Sequence, residues 1–232
     1  MGELVTYRLE DGIATVTMDD GKVNALSPRM LGELGDALDR AEADEAVVVL
    51  SGRQRVFSAG FDLAVLKGGG PEADAMLMSG FELASRMLAF PRPLVIACNG
   101  HAFAMGVFLL LSGDYRIGVD GPYKITANEV AIGLTMPHTA VEICRQRLTP
   151  AHFTRAVVNA EVYAPADAVL PGFLDRVVAE EELPEAARAK AVELVGLDPH
   201  AHAASKLRAR GPALAAIRAA IEADAAELRT SG

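Results

Sequence analysis

The spacing of apolar positions changes several times along the chain. Ala14, Val16 and Met18 alternate with Thr15 and Thr17, the two-residue rhythm of a half-buried strand, which stops at the Asp19-Asp20-Gly21 turn. From Ser27 the rhythm lengthens. Met30, Leu31, Leu34, Leu38 and Ala41 share one helical face, Ser27 is placed to cap it, and Pro28 suits its first turn. Ala46–Leu50 and Leu94–Cys98 are unbroken apolar runs, which predicts strands covered on both faces. Between them a helix is predicted over Met76–Phe90, closed by Pro91 and Pro93. Tyr115–Val119, Tyr123–Thr126 and Phe173–Val178 read as further strands. The alternation of strand and helix defines an α/β class.

From about Pro184 the strands disappear and alanine dominates. Leu214, Ile217, Ile221 and Leu228 fall at helical spacing, so the tail predicts three helices broken at Pro199 and at Gly211-Pro212. It could cap its own core or present a surface to another subunit, and composition does not separate the two. The expected organisation is a core over residues 1–183 and a helical region over 184–232. Gly68-Gly69-Gly70-Pro71 is a low-complexity patch read as a mobile loop.

With 232 residues, the chain buries enough surface to need no staple. Lys and Arg number 22 against 31 Asp and Glu, a net charge of −9, which argues against a nucleic-acid partner but leaves room for one small anionic ligand. Cys98 and Cys144 sit in apolar surroundings and read as buried thiols of a reducing compartment. Ala102–Leu111 is the longest apolar run, far short of the roughly 20 residues of a membrane span. The start of the chain carries no secretory pattern. Met1-Gly2-x-x-x-Thr6 matches an acylation pattern, but Glu3-Leu4 lead straight into a strand. The expected location is the cytoplasm, with no membrane partner.

Dinucleotide, Walker-type and nucleophile-elbow signatures do not occur, and His200 and His202, two apart on a helix, point to different faces, so no metal is expected. Two other stretches carry more. Val56-Phe57-Ser58-Ala59-Gly60-Phe61-Asp62-Leu63 follows a strand and leads into a helix, with small residues that let the backbone approach a ligand. Asn99-Gly100-His101-Ala102-Phe103-Ala104-Met105-Gly106-Val107 follows a buried strand and opens an apolar helix, leaving backbone N–H groups free to meet a negative charge.

Together these motifs resemble the crotonase family, the enoyl-CoA hydratase/isomerase group. Asn24-Ala25-Leu26, Gly113-Asp114-Tyr115-Arg116-Ile117, Asn128-Glu129-x-x-x-Gly133 and the pattern from Ala164 to Val178 agree with it in order and spacing. The resemblance implies a crotonase-like spiral of β-β-α units with a C-terminal α-helical subdomain. It also implies an acyl-CoA thioester partner, with coenzyme A entering only as part of the substrate and no permanently bound cofactor. Assembly is expected as a homotrimer or a dimer of trimers.

The resemblance assigns the oxyanion-holding amides to Phe61 and Met105; a single donor of that kind is typically worth about 3 kcal/mol. It assigns the catalytic carboxylate to Glu129, whose apolar neighbours Val130, Ala131 and Ile132 would raise its pKa toward a proton-shuttling range. The family's other glutamate position falls on Phe108, which can neither orient water nor donate a proton. One base and an oxyanion hole suffice to move a double bond from β,γ to α,β, so isomerisation is expected ahead of hydration. A hydratase, or an acyl-CoA binder without turnover, is the alternative.

Substrate contacts are expected from Lys22, Asn24, Ala25 and Leu26 at the early turn. Ala59, Gly60, Asp62 and Leu63 follow around the first oxyanion donor, and Gly106, Phe108 and His138 beyond the second. Asp62 also reads as a helix cap and His138 as an exposed helix-start residue. Glu82 and Glu142 are expected to face solvent or pair with cations. Lys22 and Lys67 are candidate phosphate neighbours, and Lys206 and Arg208 are candidates for the CoA phosphates of an adjoining subunit.

Overall fold

The computed structural model describes residues 2–231; Met1 of the acylation pattern and Gly232 of the tail lie outside them. Strands β1 (Val5–Glu10), β2 (Ile13–Met18), β4 (Val47–Ser51), β7 (Leu94–Cys98), β9 (Tyr115–Val119) and β11 (Arg176–Val178) form one sheet in the order β1-β2-β4-β7-β9-β11. Only the β1–β2 pair is antiparallel. The unbroken apolar runs are explained by what covers each face. Val48 and Leu50 face α1 (Pro28–Ala43) and α3 (Gly70–Ala89), whereas Val47 and Val49 pack toward α7 (Leu183–Val195).

Strands β4, β7 and β9 each hand the chain to a shorter strand outside the main sheet. These are β5 (Arg55–Ser58), β8 (Gly100–Phe103) and β10 (Ile125–Thr126), which form a parallel second sheet in the order β10-β8-β5. A third, two-stranded sheet pairs β3 (Ala25–Leu26) with β6 (Gly60–Phe61). Helices α2 (Leu63–Gly68) and α4 (Met105–Leu111) follow β6 and β8. This repeated step from sheet to side strand to helix is the β-β-α spiral that the resemblance implies.

Two residues make the turns between sheets possible. Asn99 Oδ1 accepts from Gly52 N at 3.1 Å, and its Nδ2 donates to the carbonyls of Gly52 (2.8 Å) and Arg53 (2.7 Å). Gly100 lies so close to β5 that a Cβ there would meet the Arg55 carbonyl at 1.9 Å.

Ser27 caps α1 by accepting from Met30 N. The helix predicted over Met76–Phe90 begins earlier, at Gly70, and the glycine patch is the junction at which α2 ends and α3 starts, with Gly69 at φ 63°. Helices α5 (His138–Arg145) and α6 (Pro150–Val157) lead to β11.

The tail is two helices and not three. After α7, α8 runs unbroken from Pro199 to Ser231 through Gly211-Pro212. Pro212 forfeits one backbone hydrogen bond, a cost of roughly 3 kcal/mol, but anchors on both sides offset it. Before it, Lys206 Nζ donates to Phe90 O, Arg92 O and Asp114 Oδ2 at 2.6–3.0 Å; after it, Ile217 and Ile221 are buried. Helix α8 lies on α3 and α5, so the tail packs against its own chain. No helix of the described residues is long and apolar enough to cross a membrane.

Candidate active site

The β2–β3 turn is set by Asp20 and Asn24. Asp20 accepts from the backbone N–H groups of Lys22, Asn24 and Ala25; burial opposes its ionisation, but these donors prevail and hold its carboxyl below the usual range. Asn24 is fully buried in a left-handed conformation (φ 52°), its Nδ2 donating to Met18 O at 3.0 Å and Phe57 O at 3.1 Å. Its side chain is therefore committed to scaffold, and what it contributes is the placement of Ala25 and Leu26 beside Gly60 and Phe61. Lys22 is exposed on this turn.

Beyond β5, Ala59 N donates to Val23 O, Gly60 N to Ser58 Oγ and Asp62 N to Leu26 O. Asp62 N thus points toward β3, and because successive strand amides face opposite edges, Phe61 N–H points the other way, where no strand pairs with β6. Gly60 (φ 91°) makes this crossing possible. A Cβ there would stand 2.9 Å from Ala104 Cβ and 3.3 Å from Met105 N, so the two motifs touch through their backbones. Ala104 holds φ 48°, a left-handed conformation unusual for alanine. Ala104 N donates to Thr126 O, and the first α4 bonds come from Val107 N and Phe108 N to Ala104 O. Met105 N–H, at the first position of the helix, has no acceptor within it. Gly106 is equally constrained, since a Cβ would lie 2.6 Å from Ser58 O.

These backbones border a cavity of about 450 Å³. Ala59, Phe61, Leu63 and Leu66 line one side; Leu77 and Phe81 of α3, with Ala104 and Phe108, line another; Asn128, Glu129, Ile132, Leu134, Thr135 and Pro137 complete it. The Phe61 ring packs edge-on to Phe81 at 6.0 Å and fits over Gly80, where a Cβ would meet it at 2.5 Å. Glu129 is the one ionisable side chain in the lining. It is 7% exposed, its Oε2 has no hydrogen-bond partner, and burial pushes its pKa up to about 7.

Of the expected residues, Ala59, Phe61, Leu63, Phe108 and Glu129 meet at this cavity. Met105 and Gly106 lie directly behind Ala104. Asp62 caps α2 through Ala64 N at 2.8 Å. His138 is outside the lining; its backbone N–H donates to Asp224 Oδ1 and its ring pairs with Glu227 at 3.0 Å, which raises the imidazole pKa. His138, Asp224 and Glu227 could in principle ligate a metal, but both Asp224 oxygens already accept from the α5 backbone. Lys67 and Arg208 are exposed. Lys206 is buried with its ammonium bound three times, so it cannot reach a neighbour's phosphate. Glu82 pairs with Arg218, and Glu142 with Arg145.

Three features escape the sequence reading. The apolar wall from α3 requires knowing which helix face meets the cavity. Asn128, with a buried and unpartnered Oδ1, had only its adjacency to Glu129 as a signal. The Gly113–Ile117 motif turns out to be scaffold: Asp114 accepts from Leu94 N and pairs with Lys206 and Arg210, while buried Arg116 grips Asp175 and Gly172 O. Both cysteines are free and buried, which pushes the Cys98 thiol up to about 12. A second groove of about 530 Å³ lies under α7, but its ionisable groups are already paired, Arg8 with Glu10 and Arg188 with Asp11, while Glu180 accepts from Gln54 and Tyr123.

Fold and cavity together define a crotonase-type protein. The family model for enoyl-CoA hydratase/isomerase matches residues 8–229, and the chain belongs to that family. It is 31% identical to human mitochondrial enoyl-CoA delta isomerase 1, across 86% of this chain and 68% of that one. It is 29% identical to carnitinyl-CoA dehydratase of Salmonella typhi, across 89% and 80%. Among solved structures, a Mycobacterium tuberculosis enoyl-CoA isomerase superposes with a TM-score of 0.94 at 47% identity, across 98% of this chain and 100% of that one. A second structure of that mycobacterial protein names it a probable enoyl-CoA hydratase, so names alone do not separate the two activities.

Proposed function

We propose that this protein moves the double bond of a β,γ-enoyl-CoA to the α,β position. The amides of Phe61 and Met105 would hold the thioester oxygen as its charge develops, and the Glu129 carboxylate would take a proton from the α-carbon. The resulting dienolate carries density at the γ-carbon, and the Glu129 acid returns the proton there. One C–H bond breaks, another forms, and no water is consumed.

The supporting observation is that a cavity wide enough for an acyl chain contains a single ionisable side chain, Glu129, and that Phe108, at the position the resemblance gives to a second carboxylate, lines the same cavity. A buried carboxyl with a pKa near 7 can both accept and release a proton at neutral pH. The likeness to two isomerases favours the same reading. The dehydratase relative keeps hydration as the second reading.

Coenzyme A belongs here to the substrate, lying near the Ala25-Leu26 turn and the start of α2, with Lys22 and Lys67 near its phosphates. Residues 1–183 would form the catalytic core, and 184–232 would contribute to trimer assembly. The test is an absorbance assay on a β,γ-enoyl-CoA. The expected result is growth of the conjugated product, abolished in Glu129→Ala; full activity in that variant removes Glu129 from the chemistry.

A further inference from the structure

Asn128 has no task in the mechanism above, yet its side chain is in an unusual state. Its Oδ1 is buried and has no hydrogen-bond partner, and the same holds for Oε2 of the next residue, Glu129. Both residues line one cavity. A buried acceptor without a donor costs about 1–3 kcal/mol, so two on consecutive residues call for a source of hydrogen. No backbone N–H bonds either oxygen. Ile132 N donates to the carbonyls of Asn128 and Glu129, Leu134 N to the carbonyl of Glu129, and the N–H of Glu129 bonds its own carboxyl. A neutral carboxyl, however, brings its own donor.

We propose that Asn128 is a positioning residue whose Oδ1 accepts the hydrogen of the neutral Glu129 carboxyl. One proton then satisfies both orphaned oxygens. The only titratable side chain seen to couple to Glu129 among the described residues is Cys144 of α5, whose thiol burial and the Glu129 charge both push up, so it stays neutral. The facing walls from α2, α3 and α4 present Leu63, Leu66, Leu77, Phe81 and Phe108, which carry no charge. Resting on the proton-shuttle reading, Asn128 would retain the α-proton on Glu129 during the lifetime of the dienolate and aim it on its return.

The test compares Asn128→Leu, which keeps the bulk and removes the acceptor, with Asn128→Thr, which restores an acceptor oxygen. Glu129 is titrated in ligand-free protein by carbon NMR of labelled glutamate carboxyls, its signal assigned by its loss in Glu129→Gln. The leucine variant is expected to move the midpoint down by about one pH unit, a tenfold change in acidity constant. Threonine should recover at least half of that. In turnover, leucine should lower kcat about tenfold and leave KM within about threefold.

If Asn128 merely lines the wall, leucine makes the surroundings more apolar and the midpoint rises or stays; either result overturns the proposal. Should the leucine variant not fold, Asn128→Ala, which also removes the acceptor, gives the same reading. The titration needs no catalysis. An active Glu129→Gln would therefore sink the shuttle while leaving this result standing, and an unmoved midpoint would do the reverse.

Discussion

Glu129 joins a cost in stability to a capacity for chemistry. Its pKa stands near 7 in the folded protein against 4.5 for the free side chain, because burial penalises the charge. Below pH 4.5 the carboxyl is neutral in both states and folding loses nothing. As pH rises the unfolded chain ionises first, so stability declines until the penalty is complete above 7, at about 3 kcal/mol. Glu129→Gln is therefore expected to raise Tm, more at pH 8 than at pH 5, by calorimetry, while isomerase activity falls about a thousandfold or more. A lower Tm at pH 8 would contradict the burial argument. The wild-type rate should rise with pH through about 7, as the base loses its proton. Glu129 could be picked out from sequence because its family register and apolar neighbours agree. Asn128 could not, since an orphaned oxygen is visible only once its surroundings are built.

The elements place the two candidate amides more tightly than the side chains around them do. Gly60 lies where β6 crosses the start of α4, at φ 91° and with Ala104 Cβ 2.9 Å from any added methyl. Gly60→Ala should push the Phe61 and Met105 amides apart, lowering kcat at least a hundredfold by steady-state kinetics. An unimpaired kcat would show that this crossing is irrelevant to turnover. The strands β7 and β9 match their expected bounds end to end, and in β7 burial on both faces leaves an unbroken apolar run as the signal. Short strands such as β3 and β6 were not separable, since two residues set by tertiary pairing carry no period, and β10 keeps only the last two residues of the strand expected over Tyr123–Thr126. The break expected at Gly211-Pro212 failed because local propensity was outweighed by anchors on either side. Pro212→Ala should accordingly raise stability by about 1–3 kcal/mol in denaturant titrations; a loss would mean that the proline packs favourably.

Across the molecule, the tail is tied to the body at two separate points. Asp224 on α8 caps α5, and Lys206 ties α8 to the start of β7 through Phe90, Arg92 and Asp114. Lys206→Met leaves a buried carboxylate with one fewer partner and should cost roughly 3 kcal/mol of stability, with KM for the CoA thioester unchanged at a temperature where the variant is folded. A KM that rose without a change in Tm would return Lys206 to the substrate. The family and the spiral were legible because several motifs had to agree in order and spacing, whereas the role of Lys206 depends on a 92-residue separation that only the fold closes.

The most direct measurement is product identification by chromatography after incubation with a β,γ-enoyl-CoA and, separately, its α,β isomer. A single carboxylate in a cavity that Phe108 also lines predicts conversion of the first, with 3-hydroxyacyl-CoA from the second formed at less than about a thousandth of that rate. Hydration at a comparable rate, or no conversion of the β,γ substrate, would contradict it.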